Sequence, residues 1–276
     1  MSTATLTPRT GERDGGDPVD VPAPGFGRAL QAEWVKLRTV RSTGWTLLAT
    51  FVLGAGLTIL MCWGNADWLA SKDADESPGS FVTWGMMIAQ ICAVVLGALV
   101  VTSEYSTGMI RSTFAATPTR GRVVAAKAVL VSAVLLVVGT VTALVGFLGG
   151  NWFLDREGIG MALEGDVLRA MYGSGLYLAG IGLFTVAVGF IFRHTAGTIS
   201  AVLALMLILG NMVNLVPGTF GDWLVKLMPG NAGSAISTPV SFNPDLLEPW
   251  TGFGVFGLET AALLVLAWVL VRRRDA

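Results

Sequence analysis

Charge is what this sequence lacks. Asp, Glu, Lys and Arg make up 13% of the 276 residues, against about 25% in soluble domains. That is too few to clothe a water-exposed surface, while 53% of the residues are hydrophobic. A net charge of −1 leaves no positive excess with which to bind nucleic acid. The two cysteines, Cys62 and Cys92, lie in apolar runs at a spacing unlike any metal site, and read as small apolar fillers. No Gly-Lys pair occurs anywhere in the chain. This excludes the G-x-x-x-x-G-K-[S/T] loop, in which backbone amides and a lysine embrace ATP phosphates. The only histidine, His194, lies 20 residues from Ser174 across one apolar run, about 30 Å of helix, so a Ser–His protease pair is excluded within one subunit. A single carboxylate inside an apolar run, Glu259, supplies no acid–base pair for hydrolysis.

What the chain has in abundance is apolar length. Six stretches reach the roughly 20 residues needed to cross a bilayer: about 44–62, 81–103, 128–150, 170–192, 195–216 and 250–271. Lipid offers the backbone no hydrogen-bond partner, so each is expected to be a helix. The expected fold class is an all-α membrane protein with six transmembrane helices. Lys and Arg alternate between connections: fourteen, Arg9 and Arg13 of the tail included, lie before the first span, between the second and third, between the fourth and fifth, and at the C-terminus. The other connections hold only Lys72, Arg156, Arg169 and Lys226, with eleven acidic residues. Positive charge stays inside, so both termini are expected to be cytoplasmic. The nine tryptophans lie near span ends or on the segment before the first span, where amphipathic rings settle at headgroups. Glycines crowd the fourth span at Gly173, Gly175, Gly180, Gly182 and Gly189, as close helix packing in lipid requires. Residues 1–25 are rich in Pro, Gly and Thr with no apolar run. They read as a disordered cytoplasmic tail rather than a secretory signal. Arg outnumbers Lys 14 to 4, which suggests a GC-rich bacterial source.

Between the tail and the first span, Phe26, Leu30, Trp34, Leu37 and Val40 fall on one helical face. Residues 26–41 thus read as a helix lying in the membrane interface, with Trp34 and Lys36 part of it. Glu33 falls among the apolar positions. It either reaches water at the helix edge or faces a protein partner or a basic residue of the second-to-third connection.

That connection, VTSEYSTGMIRSTFAATPTRGRVVAAK, is about twenty residues long, where helix pairs need only about two to eight. Glu104 to Ala116 can form a short helix, Pro118 would stop it, Gly121 permits a turn, and Lys127 starts the third span at phosphate level. Such length and order point to a docking surface. Here the sequence resembles the permease subunits of type-2 ATP-binding-cassette exporters, in particular actinobacterial ones. The resemblance rests on Glu104, Gly108, Pro118-Thr119-Arg120 and Lys127. It also rests on AEWVKLRTVRST before the first span, FRHTAGTISAVL, LMPGNAGSAIS and the terminal LVRRRDA, and covers about 26–276. It implies that Glu104–Ala116 is a cytoplasmic coupling helix seated in a separate ATPase, with Glu104, Tyr105, Gly108, Met109, Arg111, Pro118 and Arg120 at or near the contact. Glu104 could bond the interfacial helix or the ATPase, and Arg111 offers a planar fork to a carboxylate. Met109 and Tyr105 depart from the family's usual threonine and charged residue.

The same resemblance implies a bacterial cell-membrane exporter whose ATP and Mg are held by two copies of the partner ATPase. The chain itself then binds no cofactor and is no enzyme. A second permease copy, identical or related, completes the path. Trp223–Met228 and Ala232–Ile236 are too short to span and resemble extracellular re-entrant half-helices. Glu259 is costly in lipid; by depth it shares an outer layer with Gln90 and Asn211, a possible polar cluster along the pathway or between subunits. Alternatively, a protonated Glu259 only ties two helices together. A non-transporting sensor or toxin-immunity module of the same fold is the alternative function.

Overall fold

The computed structural model describes residues 25–116, 119–241, 243 and 246–274; all of the expected tail at 1–25 except Gly25, and Pro118, lie outside them. Among the described residues every regular element is helical. Six helices are long and apolar enough to cross a membrane: Arg41–Ala70, Pro78–Ser106, Arg120–Arg156, Gly165–Phe192, Thr195–Leu215 and Pro249–Arg273. The expected spans all appear, longer at most ends, because helices continue past the hydrocarbon edge where charged residues are tolerated.

We label the elements in order: α1 (Phe26–Thr39), α2 (Arg41–Ala70), α3 (Pro78–Phe81), α4 (Met86–Ser106), α5 (Met109–Ala116), α6 (Arg120–Arg156), α7 (Gly165–Phe192), α8 (Thr195–Leu203), α9 (Gly210–Met212), α10 (Thr219–Leu227), α11 (Pro229–Ser234) and α12 (Pro249–Arg273). A π-helical turn, Ala204–Leu209, joins α8 to α9, and a 3-10 turn, Ala235–Ser237, follows α11.

The bundle is built around α7, the most buried of the six spans, the fifth and sixth being the least buried. It packs on α4, α6 and α12, while α2 packs on α4 and α6. Glycine makes the close crossings possible. A Cβ on Gly175 would strike the Leu136 carbonyl and the Thr140 hydroxyl of α6, and one on Gly173 the Ile236 carbonyl. The aromatic core is a chain of ring contacts, Tyr177–Phe256 at 6.1 Å and Phe256–Phe184 at 6.0 Å. Both cysteines are free, Cys62 fully buried.

At one end, which we call the acidic end, α10 and α11 are separate short helices kinked at Met228, whose backbone is extended before Pro229. They overlie the two expected half-helices. α11 and its 3-10 turn are buried against α7 and α12, whereas Phe220 and Trp223 of α10 stay 71% and 56% exposed.

The opposite, basic end carries α1, α5, the start of α6 and the end of α12. Here α1 differs from the expected single apolar face. Its buried stripe is Ala29, Glu33 and Leu37, while Phe26, Trp34 and Val40 are 42–49% exposed. The helix therefore has two working faces, an apolar one turned outward and one carrying Glu33 against the bundle. It stops at Thr39 because Val40 is extended.

Candidate functional site

At the basic end four charged side chains meet, three of them buried and Lys36 half-buried. Lys127, on α6, is 1% exposed and donates three hydrogen bonds: to Glu33 Oε2 at 2.6 Å, Glu104 Oε1 at 2.7 Å and the Val100 carbonyl at 3.0 Å. Lys36, on α1, donates to Glu33 Oε1 at 2.8 Å and Glu104 Oε1 at 2.7 Å. Glu33 and Glu104 side chains are only 6% and 5% exposed. Two carboxylates and two ammonium groups sum to zero charge, which lets the cluster survive burial. An isolated charge there would cost several kcal/mol (about, on insertion and burial scales). Burial opposes the charge on Lys36, but its hydrogen bonds to Glu104 and Glu33 and their negative charge outweigh it, raising its pKa.

The cluster ties three helices, α1, α4 and α6, at one point. A fourth is attached through Thr113 of α5, whose hydroxyl lies 3.4 Å from Glu104 Oε2. The resolution of the Glu33 alternatives is clear: it faces Lys127 of the connection and Lys36 of its own helix, not water. The helix of the third span starts at Arg120 rather than near Lys127, so Lys127 lies seven residues into α6, about 10 Å along the axis. The signal for its role was its position as a lone cation among Val and Ala.

The expected helix over Glu104–Ala116 is also corrected: it is broken in two. Glu104 and Tyr105 belong to the end of α4, and α5 starts at Met109. Gly108 separates them with φ +73°, a left-handed conformation that glycine adopts without strain. On α5, Ile110 is buried and Thr113 and Phe114 are half-buried, while Met109, Arg111, Ser112, Ala115 and Ala116 are exposed. The short helix thus presents a free face with Arg111 on it, held from behind by the charge cluster.

Tyr105 packs edge-on to Phe190 at 6.5 Å and lies under the Arg193 guanidinium at 5.2 Å. Arg120 does more than approach the surface. It donates to the Val271 and Arg274 carbonyls, both at 3.0 Å, and lies 5.3 Å from the Phe114 ring centre. It therefore fastens α5 and α6 to the C-terminal end of α12, where carbonyls lack helical partners. His194 accepts the Gly197 amide at 3.1 Å as the cap of α8.

The three polar residues of the outer layer do not bond to one another among the described residues. Gln90 accepts from Tyr177 at 2.8 Å, and Asn211 donates to the Leu207 carbonyl of its own helix at 2.6 Å. Glu259 Oε2 is buried with no hydrogen-bond partner. Among the described residues no group of three metal-ligating side chains occurs.

A family model described as ABC-2 family transporter protein matches residues 29–211 of the 276. No curated protein matches the chain. The match covers most of α1, the charge cluster, α5, the first four spans and most of the fifth. With six membrane-crossing helices, it makes the chain a multi-pass permease component of an ATP-binding-cassette transporter: the protein belongs to the ABC-2 transporter family.

Proposed function

We propose that this chain is the membrane half of an ATP-driven exporter in a bacterial cell membrane. Family membership implies an ATP-binding partner subunit, and the observation that carries the reading is the mounting of α5. An eight-residue helix with Arg111 on its free face rests on a charge cluster shared by α1, α4 and α6. In this reading α5 is the coupling helix and α1 lies in the interface. ATP and Mg are held by the partner, two copies of which serve a homodimer or heterodimer of permease chains. Basic connections and both termini lie in the cytoplasm.

A push on α5 is passed to Glu104 through Gly108 and Thr113, and to α12 through Phe114 and Arg120. Glu104 cannot shift without carrying Lys36 and Lys127, so three helices move together. Gln90, Asn211 and Glu259 are candidate polar points on or beside the path.

Copurification of the chain with an ATP-binding subunit, followed by ATP hydrolysis in liposomes, tests the reading. Hydrolysis that requires this chain and falls with Arg111→Glu supports it. A chain that purifies and functions without any ATPase indicates a sensor or immunity module instead.

A further inference from the structure

The charge cluster has an unused valence, and a cavity opens on it. Lys127 spends all three ammonium hydrogens on Glu33, Glu104 and Val100. Lys36 spends two, on Glu33 and Glu104, and its side chain is 33% exposed. An ammonium has three donors, so one remains. Lys36 lines a cavity of about 260 Å³ whose walls are mainly Leu37, Val40, Thr43, Leu99, Val100 and Met109.

The chemistry of the walls narrows the occupant. Ser103 and Thr107 also border the cavity, but their hydroxyls donate to the Leu99 and Ser103 carbonyls of their own chain at 2.6 and 2.8 Å. Apart from Ser42, Thr43 and the cluster itself the lining is apolar; at the charged end Glu33, Glu104 and Lys127 are engaged with one another, and Lys36 keeps the free donor. The volume is just under the ~300 Å³ floor for pockets that enclose a drug-sized ligand. It suits part of a chain whose head stays outside.

Position completes the argument. The cavity lies where α1 meets the first span, and its rim residues Val40 and Met109 are 49% and 47% exposed. On α2 the neighbouring Trp45 and Leu48 are 71% and 49% exposed, an apolar face of a membrane-crossing helix open to lipid. Arg38 and Arg41 are exposed beside it, and basic residues at this depth attract anionic headgroups.

We propose that this cavity holds one acyl chain of an anionic phospholipid from the leaflet at the basic end, its phosphate taking the free hydrogen of Lys36 with Arg41 alongside. The site shares the rim residue Met109 with α5 but does not include Arg111, and it does not depend on which substrate is carried. A lipid seated there adds an anionic partner to Lys36 and so touches the cluster that joins α1, α4 and α6.

Native mass spectrometry of the full-length chain in detergent tests this, with titrations of phosphatidylglycerol, phosphatidylcholine and inorganic phosphate. The variants are Ser103→Trp and Val40→Trp, each filling the cavity from an exposed rim position. Leu148→Trp, at a 60% exposed site on α6 away from the cavity, is the control. The expected result is a single tightly retained phosphatidylglycerol on the wild type and the control. Retention is about tenfold weaker in both rim variants, and also with phosphatidylcholine on the wild type. Free phosphate alone should not be retained. Equal retention by the wild type and whichever rim variant melts like it would overturn the site. Equal retention of the two lipids would overturn the assignment of the headgroup contact.

Discussion

Replacing Lys127 by methionine removes one side chain and leaves two buried carboxylates. In the native protein Lys127 and Lys36 share Glu33 and Glu104, four contacts of 2.6–2.8 Å. Without Lys127, Glu33 Oε2 loses its charged partner, Glu104 Oε1 keeps only Lys36, and the Val100 carbonyl loses its donor. The methionine fills most of the volume, so the loss is electrostatic rather than a cavity. Removing one member of a buried ion pair costs about 3–5 kcal/mol. For domains of this size each kcal/mol moves the melting temperature by about 2–4 °C, so Lys127→Met should melt roughly 6–20 °C below the wild type.

Tryptophan fluorescence during heating in detergent reads this directly. The double variant Lys127→Met with Glu104→Gln tests the mechanism further. Neutralising the carboxylate that Lys127 leaves behind should recover about 0.5–3 kcal/mol relative to the sum of the single losses. A Lys127→Met protein melting within about 2 °C of the wild type, less than the shift from a single kcal/mol, would mean that Lys127 does not hold the two carboxylates in place. Strictly additive losses would refute the pairing.

Three further outcomes follow from the same geometry. The folded protein holds the Lys36 proton more tightly than the unfolded chain, whose pKa is near the ordinary 10.5. Its contribution to stability is therefore complete below that pH and lost as pH rises through the higher folded value; an alkaline titration of melting temperature should fall more steeply for the wild type than for Lys36→Gln. Gly108→Val forces a β-branched residue into φ +73°, at about 1–2 kcal/mol, and should misplace α5, lowering partner-dependent ATP hydrolysis more than it lowers melting temperature. Arg120→Ala frees the Val271 and Arg274 carbonyls; hydrogen exchange at the end of α12 should rise while the amides of α7 stay protected.

The architecture was legible because membrane helices must satisfy their own backbone. Apolar length alone located all six spans, and only their ends moved. α6 runs Arg120–Arg156 rather than over 128–150, since its flanking charges are satisfied by partners instead of marking a border. That same rule hid Lys127, a lysine read as a headgroup anchor that is buried by two carboxylates from distant segments. Glu33 was legible as a misfit on an apolar face, but its partners were not. Nor could depth along a helix fix direction around it: Gln90 and Glu259 share a layer by residue count, yet Gln90 bonds Tyr177. The π-helical turn at Ala204–Leu209 left no mark, because its residues continue the apolar run without a break. Such turns cluster at functional sites.

In the proposed function the exposed face of α5 meets the ATP-binding partner. A photo-crosslinking amino acid in place of Arg111, and another in place of Leu163 at the acidic end, should be introduced into the chain coexpressed with its ATPase. Position 111 should crosslink to the ATP-binding subunit, and position 163, 41% exposed, should not. Crosslinking from 163 with none from 111 would contradict the proposed function.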